Sequence, residues 1–228
     1  MKHKLELIYF KMRALAEAPR LLLHYTNIEY DDLMSWDYYN KDWSEVKPDI
    51  PFKQLPMLIV DKKHHICQSM AIMTFIENLA GINIADPILN AKANMIMQSA
   101  QELFMPLNPT VNFATGEKFI KKRDDMTPYL LSRFEDLEKV IKESKKKFFI
   151  YDEPRACDFV VFHHLDLSKL LDQSIIKNFP RLEKFLEDIM LIDSVKNYLD
   201  KRPKLIDVSI EPKLIIDGVP HPTGVKKT

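Results

Sequence analysis

Residues 51–72 read PFKQLPMLIVDKKHHICQSMAI, and this stretch decides how the rest of the chain is organised. A proline-flanked loop enters the short apolar run MLIV, and the polar turn DKKHH separates that run from a second one, HICQ. Two short apolar runs around a polar turn are typical of a β-hairpin. Ser69 then begins a predicted helix that ends near Gly81. The order is therefore loop, strand, turn, strand and helix.

The preceding residues predict a strand–helix–strand unit. LELIY alternates like an edge-capable strand, and IEYDDL predicts a second strand. Between them a helix should start near Ala16 or Glu17, because Pro19 is tolerated only in a first helical turn. Asn27 is a plausible helix stop. This order favours a parallel strand pair. With residues 33–50 interpreted as a loop, residues 1–81 form a βαβ–ββα domain.

The following residues are predicted to be helical. Residues 82–90 form a linker with Pro87 near a helix start, and residues 91–203 form an all-helical domain whose first helix has an apolar face through Met95, Met97 and Leu103. Prolines 106 and 109 should end or kink that helix. Residues 117–143 predict a long helix, and CDFVVFHHLDLSKLL predicts a central apolar one. Residues 204–228 form a C-terminal extension, for which an ordered strap and a loose tail both remain open.

Composition excludes several classes of function. Lys plus Arg equals Asp plus Glu at 33 each, which argues against a nucleic-acid binder. No run approaches 18 apolar residues and the N-terminus lacks signal-peptide features, so we expect no membrane partner. Two widely spaced cysteines, Cys67 and Cys157, fit a reducing compartment, and a cytoplasmic location is predicted.

Two histidine pairs, His64-His65 and His163-His164, raise the question of a metal site. Adjacent residues point to different faces of a strand or helix, and neither pair has a histidine at the i,i+4 spacing. We therefore predict no metal. Cys67 is interpreted as a small buried hydrophobe.

Three segments resemble the cytosolic glutathione transferases, in particular the sigma class: LIYFKMRALAEAPRLLL, DWSEVKPDIPFKQLPMLIVD and CQSMAI. The resemblance runs from about residue 4 to Pro203. It implies an α+β thioredoxin-like N-terminal domain followed by an all-α helical bundle. RALAE is closer to the arthropod form, since vertebrate relatives carry an arginine where Leu15 stands. The implied activity is conjugation of the glutathione thiolate to apolar electrophiles, together with reduction of organic hydroperoxides.

The resemblance also implies a glutathione site. Tyr9 would donate a hydrogen bond to the thiolate, although a tyrosine that only caps a strand remains the alternative. Leu55 before a cis Pro56 would pair with the backbone of the peptide. Ser69, with Gln68, would bind the γ-glutamyl carboxylate at a helix N-terminus, unless Ser69 is only an N-cap.

Further residues match the family's ligand contacts more loosely. Trp43, Lys47 and Gln54 would surround the glycine carboxylate, and Glu102 would reach the α-amino group of a ligand in the partner of a homodimer. A surface role is the alternative for each. The hydrophobic-substrate site would be lined by apolar side chains, namely Phe10, Met12, Phe104 and Met105. Phe52 and the helix from Ala91 would lie near the dimer axis.

The sequence also departs from the family pattern. Lys53 replaces a glycine, the loop before Trp43 is longer, and Arg155 stands where a Ser or Thr caps the central helix. These departures keep a second function open, a binding or structural protein with little turnover. A prostaglandin-H2 D-isomerase is the third hypothesis.

Overall fold

The computed structural model describes residues 3–10, 12–114 and 116–202, together with the backbone of residues 213–216 and 219–222. The strands are β1 (Leu5–Tyr9), β2 (Asp31–Met34), β3 (Met57–Val60), β4 (His64–Cys67), β5 (Lys213–Ile216) and β6 (Val219–Pro222). The helices are α1 (Glu17–Tyr25), α2 (Ser35–Tyr39), α3 (Trp43–Val46), α4 (Ser69–Leu79), α5 (Pro87–Gln101), α6 (Phe104–Phe113), α7 (Gly116–Ser144), α8 (Ala156–Ser168), α9 (Pro180–Met190) and α10 (Asp193–Lys201).

The first four strands form one mixed sheet in the order β2-β1-β3-β4. β1 runs parallel to β2 and antiparallel to β3, so the predicted parallel pair and hairpin are confirmed. The prediction that β1 could serve as an edge strand is wrong. All five of its residues are buried, including Glu6, whose charge is paired with Lys4 at 3.1 Å.

The other elements predicted for this thioredoxin-like half are present, although β2 begins at Asp31 instead of Ile28 and β4 at His64 instead of His65. α1 begins at Glu17, and α4 begins at Ser69 and is followed by Gly81 in the left-handed conformation (φ +69°). The segment 33–50, predicted to be a loop, instead contains α2, α3 and a 3-10 turn at Lys47–Asp49. Asp42 and Glu45 cap α3 reciprocally, which stabilises so short a helix.

The first helix of the helical half begins at Pro87, where the sequence predicts a helix start. α5 starts at Pro87, inside the segment assigned to the linker, because the Asp86 carboxylate accepts the N–H groups of Ile88 and Leu89 (2.9 and 2.8 Å). α5 ends at Gln101, before either proline, and Pro106 and Pro109 both lie within α6, so the prediction that they end the first helix is wrong. Of the predicted apolar face, Met97 and Leu103 are buried, but Met95 is 56% exposed.

α8 is the central helix of this half, as predicted, and almost every one of its residues is buried. Its N-terminus is capped without a Ser or Thr at position 155. The Asp158 carboxylate accepts the N–H groups of Arg155 (2.7 Å) and Phe149 (2.9 Å), and Glu77 of α4 accepts that of Ala156 (3.1 Å). A carboxylate from the sheet domain therefore completes the cap of a helix in the other half.

α1 joins the two halves, since it packs against α4, α8 and α10. The rings of Tyr25 on α1 and Phe159 on α8 lie 5.1 Å apart. In the C-terminal extension β5 and β6 pair antiparallel. The predicted alternatives of a strap and a loose tail otherwise fall outside the described residues.

Candidate active site

Tyr9 is the last residue of β1, at the end of the strand that pairs in parallel with β2. It is 4% exposed, and its hydroxyl oxygen accepts the backbone N–H of Leu15 at 3.3 Å. Burial raises the pKa of Tyr9 to about 12, against the opposing effects of that N–H and of the Arg20 guanidinium. Tyr9 is therefore a neutral phenol at physiological pH. Since its oxygen accepts from Leu15, its own proton is available for donation to another group.

The peptide bond between Leu55 and Pro56 is cis, as the resemblance implied. Gln54 is extended (φ −140°, ψ 147°), and the β3 ladder starts only at Met57. The backbone N–H and C=O of Leu55 thus lie just outside the sheet's own pairing. An extended residue at such a position can pair with the backbone of a bound peptide.

Gln68 and Ser69 lie where β4 turns into α4. Gln68, not Ser69, occupies the N-cap position, with a φ of +72° and no side-chain capping hydrogen bond. Ser69 is the first helical residue, so the interpretation of Ser69 as only an N-cap is wrong. The first backbone N–H groups of α4 and the positive end of the helix dipole form an environment that favours a carboxylate. The Gln68 amide donates to the Gln54 side chain (3.4 Å), which brings these two predicted residues together.

The other predicted glutathione contacts are less enclosed. Trp43 is half-buried at the start of α3, and its ring meets that of Phe10 edge-on at 5.5 Å. Lys47 and Gln54 are exposed. Glu102 is exposed just beyond the end of α5. These residues leave polar groups available to a ligand.

The four predicted hydrophobic-site residues have different surroundings. Phe10 packs between Tyr9 and Trp43, with ring centroids 5.5 Å from each. Phe104 is half-buried on α6, which packs beside the 3-10 turn Ala14–Ala16. Met105 is 72% exposed. Met12 is buried and lines a cavity of about 340 Å³ together with charged and apolar residues, namely Arg13, Glu17, Arg20, Asp32, Leu33, Met34, Asp37, Tyr198 and Arg202.

A cluster of buried charges lies along this cavity, and the sequence interpretation missed it. Glu17 is 1% exposed and accepts hydrogen bonds from Arg202 (2.6 Å) and Tyr198 (2.9 Å). Arg202 also donates to Asp166 at 2.7 Å. Arg20 makes a bidentate pair with Asp32 (2.8 and 3.2 Å). The one sequence signal was that Glu17 and Arg20 lie three residues apart in a helix otherwise rich in Leu and Ala.

Comparison with known proteins identifies the family. The family model for the glutathione S-transferase N-terminal domain matches residues 5–78, and the model for the C-terminal domain of the same family matches residues 107–202. The chain belongs to the glutathione S-transferase family. Glutathione is the co-substrate of that family.

Relatives of this glutathione S-transferase align over nearly their full lengths. A glutathione S-transferase of Anopheles gambiae is 26% identical over 201 residues, which cover 86% of this chain and 95% of the relative. Glutathione S-transferase P of Caenorhabditis elegans is 29% identical over 201 residues (87% and 93%). The hematopoietic prostaglandin D synthase of Gallus gallus is 28% identical over 201 residues (87% and 96%).

Solved structures show the same fold. A Pi-class glutathione S-transferase of Onchocerca volvulus superposes with a TM-score of 0.76 at 24% identity and covers 89% of this chain and 94% of its own. A monomeric glutathione S-transferase of Necator americanus gives 0.77 at 24% identity (89% and 99%).

Two features are absent from the described part of the chain, a grouping of metal-ligating side chains and a membrane-spanning helix. There, no three His, Cys, Asp or Glu side chains are grouped as a metal site would require. None of the described helices is both long enough and apolar enough to cross a membrane.

Proposed function

We propose that this protein is a sigma-like glutathione transferase in which Tyr9 stabilises the glutathione thiolate. The observation that carries the proposal is the state of Tyr9: a buried, neutral phenol whose oxygen is fixed by the Leu15 N–H. A free thiol has a pKa near 8.5, and a hydrogen bond to its anion lowers that value. The thiolate is the nucleophile, so the bond from Tyr9 raises the reactive fraction at neutral pH.

Glutathione would lie across the edge formed by the cis Pro56 loop and the N-terminus of α4. Leu55 would pair with the peptide backbone, while Ser69 and Gln68 would hold the γ-glutamyl carboxylate. Trp43, Lys47 and Gln54 would contact the glycine carboxylate. Glu102 would reach the α-amino group of a ligand bound to the partner subunit.

The electrophile would bind against an apolar surface near Tyr9. Phe10, Met12, Phe104 and Met105 are assigned to it, and methionine side chains adapt to varied shapes. The thiolate sulfur attacks the electrophilic carbon, a C–S bond forms, and the leaving group departs with its electron pair. The thiol proton is released to solvent, and Tyr9 keeps its own proton throughout.

Substituting Tyr9 with Phe tests the proposal. Loss of a hydrogen bond to a charged group costs about 1.5–3 kcal/mol, so conjugation of chlorodinitrobenzene should fall roughly 10- to 100-fold. Tyr38→Phe, a change at an exposed tyrosine on α2, is the matched control. Conjugation that survives Tyr9→Phe would remove Tyr9 from the mechanism. Assays with cumene hydroperoxide and prostaglandin H2 would test the peroxidase and D-isomerase activities.

A binding protein with little turnover is the second candidate. Lys53 adopts the left-handed conformation (φ +54°) next to Gln54, and its positive charge would lie at the rim of the proposed glutathione site. Parallel measurements of glutathione affinity and turnover separate the two functions. Tight binding with negligible turnover would favour the second.

The assembly and location belong to the same proposal. Phe52 is 75% exposed, and Ile88 and Met95 on α5 are exposed as well, which supports a homodimer. Light scattering of Phe52→Ser against the parent protein tests it. Residues 1–81 and 91–203 would be the two domains, joined by the segment 82–90 and followed by an extension at 204–228, in a cytoplasmic protein.

A further inference from the structure

Arg20 of α1 links Tyr9 to the buried charge cluster. Its guanidinium carbon lies 5.9 Å from the centroid of the Tyr9 ring, within the range of a cation–π contact. One of its terminal nitrogens donates to the carbonyl oxygen of Met12 (2.9 Å), in the segment that follows Tyr9. Arg20 is only 8% exposed, so these contacts are shielded from solvent. It therefore touches both the catalytic ring and the loop beyond it.

The charge of Arg20 is balanced from two sides. Asp32 of β2 forms the bidentate pair, and Glu17, one turn earlier on α1, lies 3.7 Å away. The surrounding elements add other charged or titratable groups: Arg13 before α1, Tyr198 and Arg202 at α10, and His163 and Asp166 on α8. Of these, the group in contact with the Tyr9 ring is Arg20.

We propose that Arg20 is a positioning residue whose positive charge, partly balanced by Asp32, tunes the ionisation of the thiol that Tyr9 contacts. The inference rests on the proposed role of Tyr9. Leu15, in the 3-10 turn before α1, offers Tyr9 only a backbone N–H, and the cation against the ring comes from Arg20 on α1. A positive charge near the phenol stabilises negative charge that develops on the hydrogen-bonded thiol, and the interaction is strong where water is excluded.

This arrangement makes two substitutions act in opposite directions. Arg20→Gln removes the cation, so the bound thiol should ionise at higher pH. Asp32→Asn keeps an acceptor for Arg20 but removes the balancing anion, so the net positive charge beside Tyr9 grows and the thiol should ionise at lower pH. A purely structural role predicts instead that both changes loosen the loop and shift ionisation the same way.

Two readouts measure the ionisation. The first is the pH profile of kcat/KM for chlorodinitrobenzene, and the second is the number of protons released when glutathione binds, from calorimetry in buffers of different ionisation enthalpy. For Arg20→Gln we expect the pH profile of kcat/KM to shift to higher pH by about one unit. On its acid limb kcat/KM would then fall about tenfold, and the difference would disappear at high pH. For Asp32→Asn we expect a shift of about half a unit downward, smaller because the Asp32 side chain is 42% exposed.

Controls separate charge from packing. Arg20→Lys keeps the charge without the bidentate geometry and should restore part of the shift. Arg123→Gln, which removes a half-buried arginine paired with Asp124 far from α1 in the sequence, should leave both readouts unchanged. Asp32→Asn alters a partly exposed residue, so it remains informative if Arg20→Gln does not fold.

Opposite shifts for Arg20→Gln and Asp32→Asn, with partial rescue by lysine, would support the inference. Shifts in the same direction, or none in a protein whose turnover depends on Tyr9, would overturn it and leave the proposed function intact. If turnover of the parent protein does not depend on Tyr9, the proposed function fails first and the inference falls with it.

Discussion

Polar side chains have opposite surroundings on the two sides of Tyr9. On the side of β3 and α4, Gln54 and Gln68 are exposed and make one long contact with each other, and Lys47 is exposed. On the side of α1 and α10, Glu17 is buried and bonded to Arg202 and Tyr198. Exposed polar groups without a strong partner can bind a ligand, whereas buried, paired groups join elements of the fold and determine the local electrostatic potential. The exposed side is therefore the one proposed to bind glutathione, and the buried side the one that supports Tyr9; we call them the binding side and the support side.

The largest effect should come from disrupting the buried charge cluster on the side of α1 and α10. Arg202→Gln leaves the carboxylate of Glu17 buried without its shortest ion pair (2.6 Å) and also removes a partner of Asp166. Removal of one member of a buried pair costs roughly 3–5 kcal/mol of unfolding free energy. Urea unfolding measures it, and Arg123→Gln should change stability by less than about 0.5 kcal/mol. Equal stabilities of the two variants would contradict the view that the buried charge cluster supports the fold.

The same cluster predicts a pH dependence of stability. Burial would raise the pKa of Glu17, but the guanidinium groups of Arg202, Arg20 and Arg13 outweigh it and hold the pKa at about 2, against 4.5 for a free glutamate. Because the folded-state pKa is the lower one, the stabilisation is complete above pH 4.5 and is lost as the pH falls towards 2. The loss is on the order of 3 kcal/mol. Glu17→Gln should flatten this part of the stability curve, and an unchanged slope would contradict the assignment.

These two regions also show how far the sequence could be interpreted. The residues of the proposed binding side could be singled out from the sequence because they lie in short motifs of fixed spacing around Pro56 and Ser69; that they bind glutathione stays a prediction. The support side could not, because Glu17, Arg20 and Arg202 meet only after α10 packs on α1, and isolated charges in a helix usually face solvent.

Fold predictions failed for similar physical reasons. α3 has only four residues, too few to show periodicity, and depends on a capping box. Met95 was assigned to the buried face of α5, but the buried residues of that helix are Ala93, Ile96, Met97 and Ala100. Which side of a helix is buried depends on its neighbours when apolar residues occur on both.

A smaller effect is expected on the binding side. Ser69→Ala removes a hydroxyl at the first position of α4 that has no hydrogen bond to any other described residue. Glutathione affinity should therefore fall by about 1.5 kcal/mol, roughly tenfold, while unfolding free energy stays nearly constant. Calorimetric titration with glutathione measures the loss, with Ser174→Ala at an exposed turn as the control. A lower unfolding free energy with unchanged glutathione affinity would show that Ser69 stabilises the fold instead of binding the ligand.

The smallest effect concerns Lys53, where backbone strain and charge can be separated. Lys53 and Lys62 are both exposed lysines in the left-handed region (φ +54° and +57°), the first beside Gln54 and the second in the β3–β4 turn. Glycine adopts this conformation without the steric cost of a Cβ, so Lys53→Gly and Lys62→Gly should each stabilise the protein by roughly 0.5–1 kcal/mol.

Only Lys53→Gly should also weaken glutathione binding, by about twofold at low ionic strength, since an exposed charge interaction contributes little. The difference should disappear at high salt, where exposed charges are screened. Thermal unfolding gives the stability of each glycine variant, and calorimetric titration at two salt concentrations gives its affinity for glutathione. If both glycine variants bind glutathione like the parent protein, the charge of Lys53 does not act on the ligand. Lys53 would then differ from Lys62 only in position, and the ligand's carboxylates would depend on Lys47 and the α4 N-terminus.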